Sequence, residues 1–201
     1  MKASYLRPFL VAAFIVLIDQ IIKTWVRTHM AFDTEIHFLG SHGMLRYTEN
    51  NGMAFGWELG GKVGKLVLTL FRILAVCGIG YGLVYLIKHK HHRGFIMCVA
   101  LIFAGALGNI IDSTFYGLLY QNSGIFEGRV VDMFYFPLIK GSYPSWVPYW
   151  HGQYFEFFQP IFNLADASIS VGVIAILIFQ KRYFKHEKPE VASPNSEMVE
   201  E

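Results

Sequence analysis

Four stretches of this chain are apolar for long enough to cross a lipid bilayer, at about residues 8–25, 65–87, 94–112 and 161–180. A hydrocarbon core of about 30 Å needs roughly 20 such residues in a helix. Composition agrees: hydrophobic residues make up 54% of the 201, charged residues 16%, and mean hydropathy is +0.38. A soluble domain carries about 25% charged residues, so this chain has too few to cover a water-facing surface. A net charge of +2 gives no basic field that would favour nucleic acid. Cys77 and Cys98 lie in apolar runs without CxxC spacing and read as small buried hydrophobes. The expected fold is an all-α membrane protein of four transmembrane helices. The first stretch follows Lys2 and Arg7 like a signal peptide, but it is long, carries Asp19 and Lys23, and lacks a small-residue cleavage site.

Cationic residues set the expected orientation, since cytoplasmic segments retain them. Lys2, Arg7, Lys88, Lys90, Arg93, Lys181, Arg182, Lys185 and Lys188 fall at the two ends and in the short second connection. The two much longer connections hold only Arg27, Arg46, Lys62, Arg129 and Lys140. Both termini are therefore expected in the cytoplasm and both long connections outside. The first of these, EIHFLGSHGMLRYTENNGMAFGW, partly alternates and is broken by Gly and Asn, which reads as a small β-sheet against the membrane. The second is crowded with aromatics between Phe134 and Phe158, suiting a segment in the headgroup layer, although a plain aromatic belt reads the same way. Residues 1–186 form the expected membrane domain. The polar, acidic remainder, 187–201, reads as a disordered cytoplasmic tail.

An ionisable side chain in hydrocarbon costs about 2.5–3.5 kcal/mol on insertion scales, so each one asks for a reason. Asp19 and Lys23 are four apart and can pair on one helix face, as a structural ion pair or as part of a site. Arg72 is either a counter-ion for a carboxylate or a snorkelling side chain. GALGNIID puts Gly105, Gly108, Asn109 and Asp112 on one face, and FNLAD does the same for Asn163 and Asp166. Both helices thus bring a carboxylate to similar depth, for interhelical hydrogen bonding or for chemistry. Asp132 in GRVVDMF is held near the surface by apolar neighbours and makes a pair when set beside Asp166. Two poorly hydrated carboxylates cannot easily both ionise. One acid and one base then remain near neutral pH, as activation of water against an amide requires. No HExxH or other zinc spacing accompanies His37, His42 or His151, and His89, His91 and His92 fall in the short basic connection. No metal and no cofactor are expected. A small ion- or proton-coupled transporter is the alternative; it accounts for Asp19, Asp112 and Asp166 but gives Asp132 no role. A scaffold would need the polar faces only for packing.

LIDQIIK, NNGMAFG, GALGNIID, VVDMF and FNLAD, in that order, resemble the bacterial lipoprotein signal peptidases (signal peptidase II) over nearly the whole membrane domain. The resemblance implies an intramembrane aspartyl endopeptidase with four helices and a small extracytoplasmic sheet. Such enzymes remove the signal peptide of a prolipoprotein just before its diacylglyceryl-modified cysteine. It also implies inhibition by globomycin-type cyclic peptides. Carried over by motif, Asp132 and Asp166 would be the catalytic pair, and Asn50 and Asn109 would contact substrate backbone or inhibitor. Gly52 belongs to the same stretch as Asn50. Asp19, Lys23 and Asp112 would support the site, and Asn163 and Ala165 would shape it. Lipidated prolipoprotein, membrane lipids and inhibitor are the expected partners of a monomer in the bacterial inner membrane, with no nucleic acid. Two departures stand out. Ser113 occupies the position where the family has arginine, which makes Arg129 a candidate replacement, and the connection between Asp112 and Asp132 is long.

Overall fold

The computed structural model describes residues 2–51, 61–120, 123–137, 139–157 and 160–184. Gly52 and the 187–201 tail, each the subject of an expectation above, lie outside these residues. Helix α1 (Lys2–His29) leads to strands β1 (Glu35–Leu39) and β2 (Gly43–Asn50), then to helices α2 (Gly61–Lys88) and α3 (Arg93–Ile111). A π-helical turn (Asp112–Tyr116) and a short helix α4 (Gly117–Tyr120) continue α3. Strands β3 (Val130–Tyr135), β4 (Ile139–Ser142), β5 (Tyr154–Phe157) and β6 (Ile161–Phe162) precede the last helix, α5 (Leu164–Tyr183).

Among the described residues, four helical stretches are long and apolar enough to cross a bilayer: Tyr5–His29, Val63–Lys88, Arg93–Tyr120 and Leu164–Tyr183. Helices suit this solvent because they satisfy their own backbone polar groups. Each has a lipid-type face and an inner stripe. On α1, Leu6, Leu10, Phe14, Leu17 and Ile21 point outward, while Ala12, Asp19, Lys23 and Val26 are buried at helical spacing. Glycines let α3 and α5 come together. A Cβ on Gly105 would overlap the Ala165 carbonyl oxygen, and one on Gly172 would sit 2.7 Å from the Cys98 carbonyl oxygen. The Ser168 hydroxyl ties the pair by donating to the Leu101 carbonyl at 2.8 Å.

The first span runs on to His29, past the expected residue 25, and two further boundaries differ for reasons the contacts show. The third span does not stop at Asp112, because that carboxylate is neutralised by Lys23 of α1 and Ser113, Thr114 and Tyr116 beyond it are also buried. The long connection then wraps this helix end. Gly128 N, Phe126 N and Ser123 N donate to the carbonyls of Ser113, Thr114 and Gly117 at 3.0–3.1 Å, satisfying oxygens that the π-helical turn would leave open. The fourth span starts at Leu164 rather than residue 161, because Ile161 and Phe162 pair with Tyr135 and Phe134 as a strand.

The expected small sheet is present, antiparallel in the order β1-β2-β3-β6. It lies at the end of the bundle where α1 and α3 finish and α2 and α5 begin. The segment read as a loop around VVDMF is its central strand β3. Val131 and Met133 point to one face and pack with Val26, Met30, Tyr47 and Tyr116. Asp132, one residue out of phase, points to the other. The aromatic segment is built on a separate two-stranded ribbon, β4–β5. Trp146, Tyr149 and Trp150 project from it, Tyr149 being 92% exposed.

Candidate active site

Register and capping bring two carboxylates together. Asp132 lies opposite Thr48 of β2 on β3, and β6, on the other side of β3, runs directly into Asn163. Asn163 is the N-cap of α5. Its side-chain oxygen accepts from Asp166 N at 2.9 Å, and the Asp166 carboxylate takes the Asn163 N–H in return, forming a capping box. The same asparagine donates through Nδ2 to Asp132 Oδ1 at 2.7 Å. One residue thus joins the pair, its side-chain amide on the Asp132 carboxylate and its backbone N–H on that of Asp166, and the cap that starts α5 also fixes where Asp166 stands relative to Asp132.

The remaining acceptors of the pair are met by neutral amides. Asn50 Nδ2 donates to Asp132 Oδ2 at 3.3 Å, and Asn109 Nδ2 donates to Asp166 Oδ1 at 2.7 Å. Asp132 is only 3% exposed, whereas Asp166 is half-buried, so the pair opens to its surroundings on the Asp166 side. Burial, and then the nearby Asp166 charge, push the Asp132 carboxyl up to about 7 against its ordinary 3.8, while the amides of Asn50 and Asn163 pull the other way. This carboxyl titrates near neutrality.

Asp19, Lys23 and Asp112 form a second cluster immediately behind the pair. Lys23 Nζ lies 2.8 Å from both Asp19 Oδ2 and Asp112 Oδ2 and donates to Asn109 Oδ1 at 3.0 Å. All three charged side chains are buried. Asp19 Oδ1 accepts from Ala165 N at 3.0 Å, taking one of the open N–H groups in the first turn of α5. Asp112 Oδ2 accepts from Val131 N at 3.3 Å, next to Asp132. This cluster holds both elements that carry the pair. Asn109 links the two clusters, since it accepts from Lys23 and donates to Asp166.

Among the sequence-predicted residues, Asp19, Lys23, Asn50, Asn109, Asp112, Asp132, Asn163, Ala165 and Asp166 therefore come together. Arg129 stands at the edge, 55% exposed, with Nη1 3.9 Å from Glu49 Oε2. It is Arg72 Nη1 that reaches Ser113, at 3.5 Å from Oγ.

Sequence reasoning passed over three contributors. Gln20 donates to Asp112 Oδ1 at 2.8 Å and accepts from the Tyr116 hydroxyl at 3.1 Å. Arg27 pairs with Glu49 Oε1 at 2.8 Å and lies over the Tyr120 ring at 4.8 Å. Tyr47 donates to the same Glu49 oxygen at 2.7 Å, and burial and this carboxylate push its hydroxyl pKa up. The four-residue spacing of Asp19, Lys23 and Arg27 on one helix face was the available signal. Among the described residues, no group of three or more His, Cys, Asp or Glu side chains is placed to hold a metal ion.

Four membrane-length helices around a buried polar core make this an integral membrane protein. The family model for signal peptidase (SPase) II matches residues 11–181. A lipoprotein signal peptidase of Porphyromonas gingivalis is 46% identical over 191 residues, covering 86% of this chain and 83% of the relative. One of Amoebophilus asiaticus is 38% identical over 204 residues, covering 94% and 85%. A solved structure described as a bacterial membrane enzyme at 2.3 Å resolution superposes with a TM-score of 0.61 at 27% identity, covering 90% of this chain and 93% of its own. The chain belongs to the signal peptidase II family and is a membrane peptidase.

Proposed function

We propose that this protein removes the signal peptides of diacylglyceryl-modified prolipoproteins just before the lipidated cysteine, using Asp132 and Asp166 as an acid–base pair that activates water. The lipoprotein substrate is argued from the relatives, whose names carry it. The observation that carries the mechanism is the pairing itself: two carboxylates bridged by the side-chain amide and backbone N–H of Asn163, one of them titrating near 7.

In the resting pair one carboxyl is protonated and the other ionised. The ionised member takes a proton from water as its oxygen attacks the scissile carbonyl carbon, and the protonated member donates to the carbonyl oxygen, giving a gem-diol. The C–N bond then breaks. A diol hydroxyl returns its proton to the carboxylate that had given one up, and the leaving nitrogen receives the proton first taken from water. The pair regains its starting protonation. The oxygens of both carboxylates are held by amides rather than cations, so the shared proton is free to move between them. Asn50 and Asn109, at the rim of the pair, are placed to donate to substrate backbone.

Acyl chains on the substrate fix its scissile bond at the depth of the lipid interface, the depth at which the sheet meets the helix ends. The distribution of Lys and Arg puts both termini in the cytoplasm and this end of the bundle outside. The exposed aromatics of the β4–β5 ribbon suit the headgroup layer there. A monomer contains the whole site, and a globomycin-type cyclic peptide would compete for it.

The test is cleavage of a diacylglyceryl-modified prolipoprotein by detergent-purified protein in excess chelator. Wild type should cut, and Asp132→Asn and Asp166→Asn, folded, should not. An unlipidated precursor should be cut poorly. Full activity in folded Asp132→Asn would move the chemistry away from this pair.

A further inference from the structure

Arg72 is the cation whose place the mechanism above does not use. It lies within the apolar α2 and is half-buried. Its Nη1 donates to Ser113 Oγ at 3.5 Å, and that hydroxyl in turn donates to the Asn109 carbonyl at 3.0 Å. With its only proton committed to Asn109, the hydroxyl turns its lone pairs toward the guanidinium. Asp166 and Asp132 are carboxylates whose charges act on Arg72. A snorkelling side chain would be drawn to the interface; this one is held at the π-helical turn beside the pair.

Charge bookkeeping gives the guanidinium a task. In the second cluster the one lysine is shared between two aspartates, so its charge is largely taken up there. The pair itself is bonded by neutral amides. Burial and the charge of its partner push the Asp132 carboxyl up, and a pair protonated on both members would have no base. A cation on the α2 side offsets this.

We propose that Arg72, seated on the Ser113 hydroxyl, is a positioning residue that keeps one carboxylate of the Asp132–Asp166 pair ionised as the base. This inference rests on the two-aspartate reading of the site. It assigns to α2 the charge that the sequence suggested Arg129 would supply.

The test is the pH profile of kcat/KM on the lipidated precursor for the full-length chain. Among the described residues, the other charged groups near the pair stay in place in every variant: Asp19, Lys23 and Arg27 of α1, Lys65 of α2, Asp112 at the end of α3, Glu49 of β2 and Arg129 ahead of β3. Removing a neighbouring cation raises the pH needed to ionise the base, so the acid limb for Arg72→Met should move up by about one pH unit, an approximately tenfold loss on that limb. Activity well above the limb should suffer much less. Arg72→Lys should keep the wild-type limb, and adding Ser113→Arg to Arg72→Met should move it back.

An unshifted limb in Arg72→Met, or the same fractional loss at every pH, would overturn the proposal. If Arg72→Met does not fold, Arg72→Gln decides: an acid limb moved up supports the charge role and a wild-type limb overturns it. An inactive wild type, or an active Asp166→Asn, would overturn the two-aspartate reading and this inference with it. Active wild type, inactive Asp166→Asn and unchanged Arg72→Met would remove the role of Arg72 alone.

Discussion

Two carboxylate pairs lie side by side in this protein, joined through Asn109, and their environments differ in kind. Asp19 and Asp112 are clamped on Lys23 at 2.8 Å each and also accept from Ala165 N, Gln20 and Val131 N. Asp132 and Asp166 are met by the amides of Asn50, Asn109 and Asn163. A direct ammonium partner makes a carboxylate a tie between elements. Amides hold a carboxylate in position while leaving its protonation to burial and to its neighbour, which is what acid–base work needs. The distinction therefore lies in which donors the carboxylates meet, and Asp166 is in addition the least buried of the four.

The largest effect should come from breaking the clamp. Lys23→Met leaves two buried carboxylates without their cation, a loss of about 3–5 kcal/mol, and folded yield from membranes should collapse. Normal yield and melting temperature would place the stabilising contacts elsewhere. Asn163→Ala should come next, since it removes both the helix cap, worth about 1 kcal/mol, and the bridge to Asp132. A lowered melting temperature together with a large loss of kcat is expected, and a loss of only one would separate the two roles.

Asp132→Asn sharpens the comparison through stability. Because the folded-state value, about 7, lies above the ordinary 3.8, the folded protein binds this proton more tightly than the unfolded chain. Wild-type stability contributed by this group is full at low pH and declines as pH rises through 7. The variant should therefore gain in melting temperature relative to wild type between pH 5 and pH 8, a trend readable by scanning fluorimetry. The smallest effect should come from Asn50→Ala, which removes a 3.3 Å bond that favours the ionised form and should move the Asp132 midpoint slightly upward. A downward move would contradict the assigned donor.

Much of this arrangement is legible in the sequence because a membrane makes charge conspicuous. Asp19, Lys23, Asp112 and Asp166 are visible as ionisable residues in apolar stretches, and helical spacing alone puts Asn109 with Asp112 and Asn163 with Asp166. Asp132 is harder. Its strand is buried on both faces, so VVDMF shows no alternation to mark it as β-structure, and only proximity to Asp166 and the family resemblance single it out. Ile161 and Phe162 extend the apolar run of α5, and their pairing with β3 is a long-range fact that no local pattern carries. The same holds for Arg72 with Ser113 and for Arg27 with Glu49, which lie far apart in the chain. Asp112 ends an apolar pattern yet does not end its helix, because the cation that neutralises it belongs to α1.

The most direct measurement is titration of Asp132 itself. The chain has five aspartates, Asp19, Asp33, Asp112, Asp132 and Asp166, so selective 13C labelling of the aspartate carboxyls in detergent or nanodiscs gives few resonances, and Asp132→Asn assigns the one required. Its midpoint should fall at about 7 and drop in Asp166→Asn, where the repelling charge is gone. A midpoint near the ordinary 3.8, unmoved by that substitution, would contradict a proton-sharing pair.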